Sequence, residues 1–223
     1  MSEVEKVNGL ADRYSRNPLL RGLIQLIPFG IGSGIDVALV THIENIRAER
    51  VRIFFDELQN GNRELSPELL ESEDFLHCYF STTKAALNSR RTEKIRIFAK
   101  LLKSSFDGTN TVNIDEYEEF LSILDDLSFR EILILLKLYS FEIEYPKQGE
   151  ENDLQRASRF WDKFVEELNT ELGVRVDEVD SIMTRLNRTG CYETFIGGYF
   201  DYTGGKGKLT PTFFRMKDLI LEL

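Results

Sequence analysis

Apolar residues recur along most of this chain at steps of three and four, the spacing of helices that bury one face. Ile43, Ile46, Val51, Phe54, Phe55 and Leu58 mark the first long example, within a helix expected over 34–58. Gly61 and Asn62 stop it. Ser66-Pro67, a serine cap with proline in the first turn, restarts a helix over 68–87. Leu76, Tyr79, Phe80, Thr83 and Leu87 then share one face. After a break at Asn88 to Thr92, Ile95, Phe98, Leu101 and Leu102 point inward from a helix over 93–103. The cleanest stripe is Tyr117, Phe120, Leu121, Leu124 and Leu127, over 115–127, entered through the capping-box-like pair Asn113 and Glu116. Ser128 and Glu131 form a second capping box. It opens "FREILILLKLYSF", a helix over 129–141 that is apolar nearly all round and so belongs in the middle of a core. Leu121, Leu124, Ile132 and Leu136 are the expected core residues.

The pattern then changes. "EYPKQGEEND", with Pro146 and Gly149, reads as a polar linker. It divides a helical domain, 1–144, from a second module, 154–223. The second module starts with amphipathic helices over 154–172 and 177–188, ending at Gly173 and Gly190. "YETFIGGYFDY" and "KLTPTFF" read as short strands around a "TGGKGK" tip, and six of the 15 glycines fall between Gly190 and Gly207. "RMKDLILEL" closes the chain as a short helix. The fold class is mainly α: a helical N-terminal domain followed by a winged-helix-like module with a C-terminal β-hairpin.

The least polar stretch, "LIQLIPFGIGSGIDVALV" from Leu23 to Val40, admits three readings. A membrane span needs about 20 consecutive apolar residues. Here Arg21, Gln25 and Asp36 interrupt any such window, and Pro28 breaks the helix. A phosphate loop needs a Gly-Lys-Ser/Thr that does not follow. A capped helical turn fits best. Asn17 caps a helix over 19–27 with Pro18 in its first turn, Pro28-Phe29-Gly30 ends it, and Ser33, with Asp36 three residues on, caps the next. Small residues promote helix contact in lipid as well as in a core. Pro28, Phe29, Gly30, Ile31 and Gly32 are therefore the candidate membrane or partner contact.

Composition narrows the function. With 42% hydrophobic and 30% charged residues the chain reads as soluble and globular, and a net charge of -10 argues against general nucleic-acid binding. Cys78 and Cys191 lie far apart and suggest free thiols in a reducing cytoplasm. The N-terminal "MSEVEKVNGLADRYSRN" lacks the layout of a secretory signal, so the expected location is cytoplasmic, with membrane association as an option. His42 and His77 are too far apart for an obvious pair. "SFDGTNTVNIDE" puts Ser105, Asp107, Thr109 and Glu116 at calcium-loop offsets, but Asn110 replaces the turn glycine, so a plain loop is the better reading. No catalytic set, metal set or cofactor site is expected.

Two charged regions stand out. Arg90, Arg91, Lys94, Arg96, Lys100 and Lys103, against the single acid Glu93, form a basic run suited to anionic lipid or a phosphate backbone. Pairing with the acidic "DEYEEFLSILDD" helix is the favoured explanation. In the winged-helix-like module, Arg185, Arg188, Lys206 and Lys208 are the candidate nucleic-acid contacts. Asp177, Glu178 and Asp180 stand where such a helix meets DNA and would repel phosphate, so protein contact ranks above DNA reading.

"EKIRIFAKLLKSS", "IDEYEEFLSILDDLSFREILILLKLYSF", "VDSIMTRLNRTGCYE" and "GKLTPTFFRMKDLI" come in an order that resembles bacterial abortive-infection proteins of the Abi-alpha type, over about Glu93 to Ile220. The motifs are mostly apolar spacing plus "LTP". The glycine usual after "LTP" is replaced by Thr212 and Phe213. The family brings no catalytic residues. The resemblance implies a cytoplasmic or membrane-associated role in limiting phage. The expected function is thus non-enzymatic: a binding or effector protein in bacterial antiviral defence, acting through a protein partner, self-association or a membrane surface. The alternative is a transcription regulator that reads DNA through its C-terminal module.

Overall fold

The computed structural model of the chain describes residues 9, 12–27, 37–60, 65–108, 112–195 and 205–221. The protein is mainly α. Among the described residues the order is α1 (Pro18–Gln25), α2 (Val37–Gln59), α3 (Glu73–Asn88), α4 (Thr92–Phe106), α5 (Ile114–Asp126), α6 (Phe129–Glu144), α7 (Asp153–Leu172), α8 (Val179–Arg188), β1 (Tyr192–Thr194), β2 (Gly207–Leu209) and α9 (Pro211–Ile220). Contacts gather into two compact units: Met1–Asp125 with Leu219–Leu223, and Asp126–Asp218.

The units therefore divide at the end of α5, not in the polar linker expected at 145–153. The reason is the inner face of α6. Phe141 stacks on Phe160 of α7 at 5.6 Å between ring centres and meets Phe164 edge-on at 5.7 Å. The linker is thus a loop inside the second unit.

In the first unit α2, α3 and α4 pack on one another. Their core carries a run of touching rings: Phe55 on Tyr79, Tyr79 on Phe75, Phe75 on Phe106, and Phe106 on Tyr117 of α5. Asn17 caps α1 as expected, its side chain accepting from the Leu20 N–H at 3.2 Å. The Tyr79 hydroxyl donates to the Leu23 carbonyl at 2.7 Å and ties α1 to α3. On α5, Tyr117, Phe120, Leu121 and Leu124 are all buried, and on α4 so are Ile95, Phe98, Leu101 and Leu102. Each such side chain contributes about 1.5–3 kcal/mol by leaving water.

Several expectations need correction here. Ser66 caps only a 3-10 turn, Pro67–Glu71; Ser72 then caps α3, accepting from the Phe75 N–H at 3.2 Å. Two serine caps so close together split the segment read as one helix. Phe80 and Ile46 are exposed. The covered side of α3 runs through Phe75, Cys78, Tyr79, Thr82, Thr83 and Ala86, and Phe80 lies about 100° round the helix from Tyr79.

In the second unit, α6 packs on α7, and β2 rests on both. The Ser128–Glu131 capping box is present, and Asn152 with Gln155 forms another at α7. Gly173 ends α7 with φ 62°, the left-handed conformation that favours glycine. The ribbon is antiparallel, with Tyr192 opposite Leu209 and Thr194 opposite Gly207. Helix α6 is not enclosed: Ile132, Leu135, Leu138 and Phe141 are buried, but Leu136 is half-buried and Ile143 is 60% exposed. The stretch 177–188 opens with a 3-10 turn, Val176–Glu178, before α8. The "LTP" strand stops at Leu209. Thr210 instead caps α9, accepting from the Phe213 N–H at 3.3 Å, with Pro211 in the first helical position.

Helix α1 ends at Gln25 and α2 is described from Val37. Pro28, Phe29, Gly30, Ile31 and Gly32, with Ser33 and Asp36, lie outside the described residues. No described helix is long and apolar enough to cross a membrane.

Candidate functional site

Helix α3 turns one uncovered face outward. Phe80, Lys84 and Leu87 fall at i, i+4 and i+7, so they share that face, with Thr83 at its buried edge. With Ile27 after α1 and Arg47 on α2, they line a cavity of about 430 Å3. The floor is apolar. Phe80 is 42% exposed, large for a ring next to the buried Tyr79. Leu26 and Ile46, each next in sequence to a lining residue, are also exposed. Below them Tyr79 is buried, which pushes its phenol above the ordinary range, and its proton is committed to Leu23.

The polar groups of this groove are few. Thr83 is 5% exposed and its hydroxyl lies beside the Tyr79 phenol, but its Oγ1 has no partner in hydrogen-bond geometry. The Leu87 carbonyl accepts from Arg50. Arg47 and Lys84 form no ion pair among the described residues. The site is therefore an apolar groove with a cationic rim. It offers binding through burial and charge.

The basic run does not form one surface. Lys103 is buried and donates to the Asn60 carbonyl. Lys100 and Arg96 face Glu57 of α2 at 3.9 and 3.8 Å. Lys94 donates to the Asp125 carbonyl on α5 at 2.7 Å and lies over the Phe98 ring. Arg90 and Arg91 are exposed at the α3–α4 turn. Thus the acidic α5 helix takes Lys94, by its backbone, while Glu57 takes two others.

In the second unit three of the four candidate nucleic-acid residues are already engaged. Arg185 donates to Glu131 at 2.6 Å. Lys208 bonds to Asp153 at 2.9 Å, and Lys206 reaches Ser158 at 3.3 Å. Arg188 is exposed at the end of α8. A polar cleft of about 420 Å3 lies beside Lys208, lined also by Asn152, Asp153, Asn187 and Glu193. Its charges are largely matched: hydrogen bonds from Lys147 and Lys208 hold Asp153 below the ordinary carboxylate range. Next to it, burial pushes the Glu142 carboxyl up, against the opposing pull of the Leu209 N–H and Arg156. This network fastens β2 to α6 and α7.

His77 meets Glu118 of α5 at 2.7 Å, and the side chain of His42 is outside the described set. Ser105 donates to the Leu101 carbonyl of its own helix, and Thr109 lies outside the described residues. No group of three metal-ligating side chains occurs among the described residues. Burial raises the Cys78 thiol to about 12.

Sequence reasoning missed the groove, because it assigned Phe80 to the core. One signal was available. Lys84 stands one turn from Phe80 on the same face, and a cation there implies an open side. Comparison of the chain with protein-family models, with curated proteins and with solved structures returns no match.

Proposed function

We propose that this protein acts by binding, without catalysis, and that the groove on α3 is its contact with a protein partner. The observation that carries this is the Phe80 face: an exposed apolar floor beside two cations without ion pairs among the described residues. Exposed apolar surface with a polar rim is the usual mark of an interaction site. The sequence resemblance to abortive-infection proteins supplies the role to test, an effector in bacterial defence against phage. Pro28 to Gly32 stay a separate candidate membrane or partner contact, read from the sequence alone.

The DNA-reading alternative has less support. In the winged-helix-like reading of the second unit, Asp177 and Glu178 in the preceding 3-10 turn and Asp180 in the first turn of α8 face the expected DNA side, and Arg185 and Lys208 are already engaged. Phage plating separates the two. Cells expressing Phe80→Ser should lose protection, while an Arg185→Glu/Lys208→Glu double variant at equal folded level should keep it. The opposite pattern, with salt-steep duplex binding by the wild type, would favour DNA.

A further inference from the structure

We propose that the α3 groove takes an amphipathic helix of a partner protein whose apolar anchors are flanked by carboxylates. This rests on the binding role above and names the partner's chemistry. The floor from Phe80 to Leu87 spans about 10 Å, two turns at 1.5 Å per residue, so it matches anchors at i, i+4 and i+7 of a docked helix. Its volume of about 430 Å3 is enough for a few side chains, not for a domain face.

Charge selects among occupants. Arg47 and Lys84 sit at the rim without ion pairs among the described residues, in a chain whose net charge is -10. Lys100, Lys137 and Lys208 face carboxylates, while Arg90, Arg91 and Arg188 also lack an ion pair among the described residues; what sets Arg47 and Lys84 apart is the apolar floor between them. A partner that brings carboxylates to this rim completes both cations; a basic partner meets like charge there. A second copy docking through the same groove would bring two cationic rims together.

The test uses the full chain and two fluorescent model helices of about 18 residues, long enough to hold helical structure. Both carry leucines at i, i+4 and i+7. One has glutamates flanking them and the other lysines. Binding is read by anisotropy. The glutamate helix should bind at least about tenfold tighter than the lysine helix. Phe80→Ser should weaken it by a similar factor, and Arg47→Glu/Lys84→Glu should invert the preference. Circular dichroism and melting check each variant; Lys84 is exposed, so Lys84→Glu alone decides if Phe80→Ser misfolds.

Equal binding of both helices, a preference for lysine, or no binding of either would overturn the proposal. So would a Phe80-dependent dimer in sedimentation, which assigns the groove to a second copy, or Phe80-dependent binding to phosphatidylserine vesicles, which assigns it to lipid. The two readings fail separately. A lysine preference with phage protection lost in Phe80→Ser removes only the acidic partner; full protection by Phe80→Ser removes the binding role itself.

Discussion

Glu131 joins two functions in one carboxylate, and replacing it gives a stability change that can be worked from its contacts. Its Oε2 accepts from the Ser128 N–H at 2.9 Å and from the Ser128 hydroxyl at 2.6 Å, closing the box that starts α6. Its Oε1 accepts from Arg185 of α8 at 2.6 Å. Loss of a cap costs about 0.5–2 kcal/mol. The ion pair adds less, about 0.2–1 kcal/mol, because the Arg185 side chain is 59% exposed. Glu131→Ala should therefore destabilise the second unit by about 1–3 kcal/mol at neutral pH. Burial opposes ionisation of Glu131, but the Ser128 bonds and Arg185 outweigh it and hold its pKa below the ordinary 4.5. The contribution is thus complete above the unfolded pKa and is lost as pH falls through the lower, folded one. Urea unfolding followed by Trp161, the single tryptophan and buried in α7, reads this unit directly. The difference between wild type and Glu131→Ala should shrink as pH falls from 7 toward 3. A difference near zero at pH 7, or one that does not change with pH, would refute the reasoning.

Leu124 is fully buried on α5, so Leu124→Ala should cost about 2–5 kcal/mol by denaturant unfolding, and a cost near zero would mean the stripe is solvated. Cys78 and Cys191 are both buried, and burial holds the Cys78 thiol near 12, so a thiol reagent at neutral pH should label neither until denaturant is added. Phe80 is 42% exposed, so Phe80→Ser should cost about 1–2 kcal/mol, below the roughly 3–5 kcal/mol of a fully buried ring, while weakening binding at the groove. A large loss of stability would return Phe80 to the core.

Local order was legible where one rule governed it. The α5 stripe, the Ser128–Glu131 box, the Asn17 cap and the Gly173 stop depend on residues within a turn of one another, and each is found where the spacing predicts. What was not legible depends on distant residues. The unit boundary follows from Phe141 meeting Phe160 and Phe164, contacts invisible to a linker search. Periodicity marks a side as apolar but not as covered, so Phe80 and Tyr79 read alike although only Tyr79 is buried. The basic run reads as one patch, yet Glu57 and the Asn60 carbonyl, more than thirty residues earlier, draw its cations apart. Thr210-Pro211 carries the cap-and-proline signal of a helix start, but a strand reading of "KLTPTFF" hid it.

The central claim is that this protein works through contact at the α3 groove. A photo-crosslinking amino acid placed at position 80, with position 143 on the exposed side of α6 as control, tests it in living cells with and without phage. The account predicts one discrete protein crosslink from position 80, absent from position 143 and lost when Arg47 and Lys84 are reversed. Equal crosslinking from both positions, or none from position 80 while phage protection is intact, would contradict it.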